Sequence, residues 1–76
     1  MKFIEMTGKA LTRLVSEDEL HVGDLAAAGI QDDTIVRVNR QGDLEVRRVD
    51  RWDVIGGLLG NYEQRIKHET GLDWAE

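Results

Sequence analysis

The chain of 76 residues contains no cysteine and no proline. Without cysteine it forms no disulfide and no thiolate metal site, which suits a reducing compartment. It has no run of about 18 apolar residues, the length that a membrane-spanning helix needs. Its first residues lack the apolar core of a signal peptide, and Glu5 argues further against one. We therefore expect one small domain over residues 1–76, located in the cytoplasm and without membrane contact.

Catalytic motifs are also missing. Residues 7–9 (TGK) match a fragment of a phosphate-binding loop, but the earlier glycine is absent and Ala10 replaces the required Ser or Thr. His21 and His68 are far apart in the sequence and show no metal-binding spacing. We therefore predict that the protein is not an enzyme and that it holds no metal and no cofactor.

The net charge of −5 is unevenly distributed along the chain. Residues 16–33 contain six acids and no Lys or Arg, whereas residues 34–51 contain five arginines and three acids. One interpretation is that the two regions are solvated faces that neutralise each other within one fold. The other is that the arginine-bearing face meets an acidic partner.

Residues 34–49 have the pattern of an antiparallel β-hairpin. A tight turn with Gly42 in the left-handed bulge position gives a register in which one face is apolar. On the other face, Arg37 lies opposite Glu45, and opposite charges at such positions stabilise a sheet. The apolar pairs of this register are Val36 with Val46 and Val38 with Leu44.

The residues before this hairpin predict a short strand and one or two short helices. The residues before Thr7 alternate weakly, as in a strand at the hairpin's edge, and Thr7 is a suitable N-cap for a helix of about eight residues. Ser16 and Glu19 form a capping-box pattern. Asp24 can cap a further segment, which Gly29 ends.

A C-terminal helix is predicted over about residues 51–70. Apolar residues recur there at helical spacing, Asp50 is a suitable N-cap, and Gly71 ends the segment before Trp74 docks on the body. We expect an α+β fold in which this helix covers one face of a two- or three-stranded antiparallel sheet that contains the hairpin 34–49. The predicted core joins the apolar hairpin residues to Ile55, Leu59 and Tyr62, with Leu11 and Leu14 at one end.

Residues 21–36, HVGDLAAAGIQDDTIV, allow a different interpretation. They contain a Gly-acid-Leu-Ala start, a Gly-Ile turn and a Thr-Ile entry into a second segment. This resembles the helix-turn-helix opening of MerR-type regulators, although one residue before the turn glycine is lacking. The resemblance implies a second helix over residues 35–38, with Asp32 and Asp33 facing DNA phosphates. Alternating β-branched residues predict a strand there instead.

Two sets of residues are candidates for binding a partner. Gly56, Gly57 and Gly60 lie beside Asp53 on the side of the predicted helix away from its apolar stripe, and in a helix they cost about 3 kcal/mol relative to alanine. A closely crossing element would explain them, as would a helix that begins only after Gly57. The third explanation is a flat backbone surface for a second chain or a ligand.

The other set comprises four arginines. They are either solvated surface charges or groups that bind phosphates or carboxylates. No aromatic residue interleaves them in the sequence, as a single-strand binder would require. We therefore predict a non-enzymatic protein-interaction module that binds a protein partner or associates with itself as a homodimer. A nucleic-acid-binding or regulatory domain is the alternative. These arginines are Arg37, Arg40, Arg47 and Arg51.

Overall fold

The structure is a computed structural model that describes residues 2–15 and 22–74, with only the backbone described at residues 22 and 23. Its four strands form one antiparallel sheet in the order β1-β2-β3-β4. The predicted α+β fold is confirmed, but the sheet has four strands and not two or three. The elements are β1 (Phe3–Thr7), α1 (Gly8–Leu14), α2 (Val22–Ala27), β2 (Ile35–Asn39), β3 (Asp43–Arg47), β4 (Trp52–Gly57) and α3 (Tyr62–Thr70).

The β2–β3 hairpin has the predicted register. Gly42 has a φ of 90° and donates its backbone N–H to the carbonyl of Asn39 at 3.0 Å. The Asn39 side chain accepts the backbone N–H of Asp43 and donates to the Asp43 carboxylate, both at 2.9 Å. These bonds close the turn and fix the register of the strands. The confirmed pairs are Val36 with Val46, Arg37 with Glu45 and Val38 with Leu44.

The predicted edge strand and the first helix are also confirmed. β1 pairs with β2, and the Thr7 hydroxyl accepts the backbone N–H of Ala10 at 3.2 Å as the N-cap of α1. α2 begins before Asp24, which therefore lies in its first turn and is not its N-cap. The expected capping box of Ser16 and Glu19 lies outside the described residues. Because residues 35–39 form β2, the second helix implied by the MerR-type resemblance is wrong.

The predicted helix over residues 51–70 is wrong in its first part. Residues 52–57 form β4, which pairs with β3, and α3 begins only at Tyr62. Asp50 is not a helix cap, since it lies in the turn where the Arg48 N–H donates to the carbonyl of Arg51 at 2.8 Å. Pairing with β3 outweighs the helical spacing of this segment, and its glycines disfavour a helix. Gly71 ends α3 in the left-handed conformation, as predicted.

The core lies between the inner face of the sheet and the helices. Leu11 and Leu14 belong to it as predicted, and Ile55 and Tyr62 pack against it while partly buried. Leu59 does not, because 66% of it is exposed in the connection between β4 and α3. The buried residues of the core are Ile4, Met6, Leu11, Leu14, Leu25, Ile30, Val36, Val38, Leu44, Val46, Leu58, Ile66 and Trp74.

The side chains of Arg65 and Trp74 connect α3 and the residues after it to the rest of the fold by hydrogen bonds. Trp74 docks as predicted, and its indole N–H donates to the carbonyl of Val38 at 3.2 Å. Arg65 donates to the carbonyls of Leu14 and Leu59, so it links α3 to the end of α1 and to the connection before α3. In the described part of the chain, no helix is long and apolar enough to cross a membrane.

We predict that Gly8→Ala destabilises the fold by about 2–4 kcal/mol. A Cβ at residue 8 would lie 2.0 Å from the carbonyl oxygen of Gln31 and 2.7 Å from Cγ2 of Ile30. Urea denaturation followed by circular dichroism measures this loss. Gly57→Ala is the matched control, because its Cβ would meet only the carbonyl oxygen of Gly42, at 3.5 Å. Equal stability of the two variants would contradict the prediction.

Candidate functional site

The side chains that point away from the core form the outer face of the sheet. Along β1, β2 and β3 these side chains alternate with buried residues, as expected for an antiparallel sheet with one solvated face. Ile35 and Val54 are exposed on this face, to 41% and 64%. The face therefore presents apolar side chains to solvent. Its members are Phe3, Glu5, Thr7, Ile35, Arg37, Asn39, Asp43, Glu45, Arg47, Trp52 and Val54.

Arg37 occupies the centre of the outer face and contacts the other three strands. Its guanidinium carbon lies 3.8 Å from the ring centroid of Phe3 on β1 and 4.1 Å from that of Trp52 on β4. It also forms two hydrogen bonds to the carboxylate of Glu45 on β3, at 3.1 and 3.2 Å. A planar guanidinium can stack on aromatic rings and bind a carboxylate with two bonds at once. Arg37 thereby fixes the position of Trp52.

Arg47 on β3 also lies near Trp52. Its guanidinium carbon is 5.5 Å from the ring centroid of Trp52, and in the described part of the chain it has no ion-pair partner. Trp52 is half-buried, exposed Val54 lies on the same strand, and exposed Ile35 lies on β2, on the same face of the sheet. We call this group the Trp52 surface, and it consists of Ile35, Arg47, Trp52 and Val54.

The Trp52 surface has the chemistry of a binding site. An indole and two aliphatic side chains can bury apolar area of a partner, and an unpaired guanidinium can bind a carboxylate. The surface contains no acid, base or nucleophile. A cleft of about 210 Å³ between α1 and α3 contains His68 and Glu69, but Glu69 is paired with Arg13 at 3.4 Å. Among residues 2–15 and 22–74 no group of three His, Asp or Glu side chains is placed to hold a metal ion.

The structure brings two of the four predicted arginines together near Trp52, since the guanidinium groups of Arg37 and Arg47 both lie close to its ring. Arg51 lies in the adjacent β3–β4 turn, with a guanidinium nitrogen 4.0 Å from the Asp50 carboxylate. Arg40 lies at the opposite end of the sheet, in the β2–β3 turn. The four arginines therefore do not form one patch.

The glycines that were predicted to lie on one side of a helix are not in a helix, so that placement is wrong, whereas their role in binding a partner stays a prediction. Gly56 and Gly57 belong to β4, where they pair with Leu44 and Asp43. Gly60 follows the strand with a φ of 68°, a left-handed conformation that favours glycine. The helix does begin after Gly57, which was one of the structural explanations for these glycines.

Asp53, which was predicted to accompany these glycines, also lies on β4. Its carboxylate accepts hydrogen bonds from the guanidinium of Arg48 at 3.2 Å. That ion pair links β4 to the residue that follows β3. Asp53 therefore already has a partner within the chain.

Sequence reasoning missed the aromatic residues of this site. No aromatic residue interleaves the arginines along the chain, but the rings of Phe3 and Trp52, distant from Arg37 in the sequence, lie against its guanidinium in the folded chain. The alternation in β1 and the hairpin register together were a signal for Phe3. For Trp52 the apolar residues of its segment recur at helical spacing, so the sequence did not predict that this segment pairs with β3.

Comparisons with protein-family models, with curated proteins and with solved structures found no significant match for this chain. The Trp52 surface is therefore interpreted from its own geometry and chemistry. The decisive features are the half-buried indole, the two exposed aliphatic side chains and the guanidinium of Arg47, which forms no ion pair within residues 2–15 and 22–74.

We predict that Arg37→Lys lowers the free energy of unfolding by about 1 kcal/mol. An ammonium group cannot stack between two rings while it also forms two bonds to Glu45. Arg47→Lys removes only the more distant contact with Trp52 and serves as the control. Chemical denaturation measures both variants, and a loss at residue 47 as large as that at residue 37 would refute the role of the stack.

Proposed function

We propose that the protein is a non-enzymatic protein-interaction module and that its partner binds to the Trp52 surface. The observation that supports this most directly is that half-buried Trp52 lies near Arg47, which has no ion-pair partner among the described residues, and shares its face of the sheet with exposed Ile35 and Val54. Tryptophan and arginine are enriched among the residues that dominate binding energy at protein interfaces. The cytoplasmic location and the lack of a cofactor stay predictions from the sequence.

The contacts of Arg37 favour this use of Trp52. A side chain that must be ordered on binding costs about 0.5–1.5 kcal/mol. Trp52 is already held by the guanidinium of Arg37, which is itself bound to Glu45. Because the indole is ordered before the partner arrives, more of the binding energy remains for the complex.

Site-specific photo-crosslinking in cells of the source organism tests this proposal. A benzoylphenylalanine at position 54, on the Trp52 surface, is expected to give discrete protein adducts. The same group at Gln64, an exposed position on α3, is the control and is expected to give none. Adducts at position 54 should decrease when Arg47→Glu is added, since that change breaks no described ion pair. No adduct at position 54, or the same adducts at both positions, would disprove the proposal.

Binding of single-stranded nucleic acid is a second candidate function. The supporting observation is the stack of Phe3, Arg37 and Trp52, because aromatic side chains and arginine can stack on bases. Two features make it the weaker candidate. The charge of Arg37 is neutralised by Glu45, and Glu5 is exposed on the same face.

Fluorescence anisotropy of a labelled oligonucleotide of mixed sequence at low salt separates the two candidates. If the protein binds a protein partner and not nucleic acid, we expect no rise in the anisotropy of the oligonucleotide as the protein is added. A rise that diminishes with added salt and with Arg47→Gln would instead support nucleic-acid binding, because phosphate contacts release counterions.

A further inference from the structure

One end of the sheet carries charges of both signs, and most of them have no ion-pair partner among the residues that the structure describes. Asp32 and Asp33 lie in the turn before β2, and Arg47 is the last residue of β3. Because β2 and β3 are antiparallel neighbours, the start of β2 and the end of β3 lie side by side. We call this region the charged end, and it consists of Asp32, Asp33, Ile35, Arg47, Val49 and Arg51.

The acidic part of the charged end has a fixed backbone. The Thr34 N–H donates to the carbonyl of Gln31 at 3.1 Å, and the Gln31 N–H donates to the Thr34 hydroxyl at 2.9 Å. The Lys9 N–H donates to the carbonyl of Asp32 at 3.1 Å. Both aspartate side chains are exposed, and neither has an ion-pair partner among the described residues. The turn therefore presents two unpaired carboxylates on an ordered support.

The basic part differs from the other arginines near it. Arg37 and Arg48 are each paired with a carboxylate, whereas Arg47 has no such partner in the described part of the chain. Arg51 approaches only the neighbouring Asp50, at 4.0 Å. The chain has 15 acids for its 10 lysines and arginines, so a shortage of carboxylates does not explain the unpaired Arg47.

Apolar side chains accompany these charges. Val49 is fully exposed in the β3–β4 turn, and Ile35 is 41% exposed at the start of β2. Exposed apolar side chains together with charged groups are the chemistry from which protein–protein contacts are usually built.

We propose that the partner is a second copy of this chain and that the two copies dock charged end to charged end about a twofold axis. Asp32 and Asp33 of one copy then pair with Arg47 and Arg51 of the other, and the reverse pairs form by symmetry. A twofold interface must be complementary to itself, which a surface carrying both charges satisfies. An acidic peptide would pair with the arginines but would place its carboxylates against Asp32 and Asp33.

This inference rests on the proposed function, because Ile35 and Arg47 belong to both surfaces. Outside the Trp52 surface it adds Val49 and Arg51 of the β3–β4 turn, and also the turn before β2. That turn allows the self-association to be tested separately from binding at Trp52.

Sedimentation equilibrium of charge-reversal variants tests the self-association. The full chain at millimolar concentration and low salt is expected to dimerise, and the dimer is expected to weaken at high salt. Arg47→Glu and Asp33→Lys should each raise the dimer dissociation constant about tenfold or more. Either change replaces an attractive contact between residues 33 and 47 of different copies by a repulsive one, and the twofold axis repeats that contact. The double variant D33K/R47E restores opposite charges across the axis, and we expect it to dimerise again.

Arg40→Glu is the matched control, because Arg40 is exposed at the opposite end of the sheet and the substitution changes the net charge equally. Circular dichroism verifies that each variant folds. A monomeric wild type, a dimer insensitive to Arg47→Glu, an equal loss with Arg40→Glu or no recovery in D33K/R47E would each overturn the inference. Adducts of position 54 with another protein, together with a monomeric wild type, would leave the proposed function standing and remove self-association alone.

Discussion

The register of the β2–β3 hairpin is the constraint on which the rest of the structure depends. Gly42 adopts a left-handed conformation that fixes the turn, and the turn determines which residues lie opposite one another. A shift of one residue would turn the valines towards solvent and Arg37 towards the core. Because the register holds, one face of the hairpin supplies the core, and the other supplies the arginine around which Phe3 and Trp52 assemble.

The two faces of the sheet contribute unequally to stability. Each fully buried aliphatic side chain of the inner face contributes about 1.5–3 kcal/mol. The contacts of Arg37 are partly exposed, with 21% of its side chain accessible, and such ion pairs and cation–π contacts contribute about 1 kcal/mol or less each. The inner face therefore holds the fold together, and the outer face can present residues for recognition.

The charged residues also divide into a group that stabilises the fold and a group that can bind a partner. Arg37 and Arg48 are paired with carboxylates that position strands, whereas Arg47 and the aspartates before β2 have no ion-pair partner in the described part of the chain. An exposed charge costs little in water, so these residues can remain unpaired in an isolated copy. Their position at one end of the sheet makes them available to a second molecule.

The sequence by itself determined the hairpin, its register, the caps at Thr7 and Gly71 and the burial of Leu11 and Leu14, because these features follow from local turn chemistry and side-chain periodicity. Only the tertiary structure decided that the segment around Trp52 is a strand. Its apolar spacing fits a helix, but β3 offers a pairing edge, and the glycines that follow weaken a helix. The Trp52 surface depends on that decision, because Trp52 lies near Arg37 on β2 and Arg47 on β3 only when its segment pairs with β3. Contacts between residues as distant in the chain as Arg37 and Trp52 leave no local pattern in the sequence.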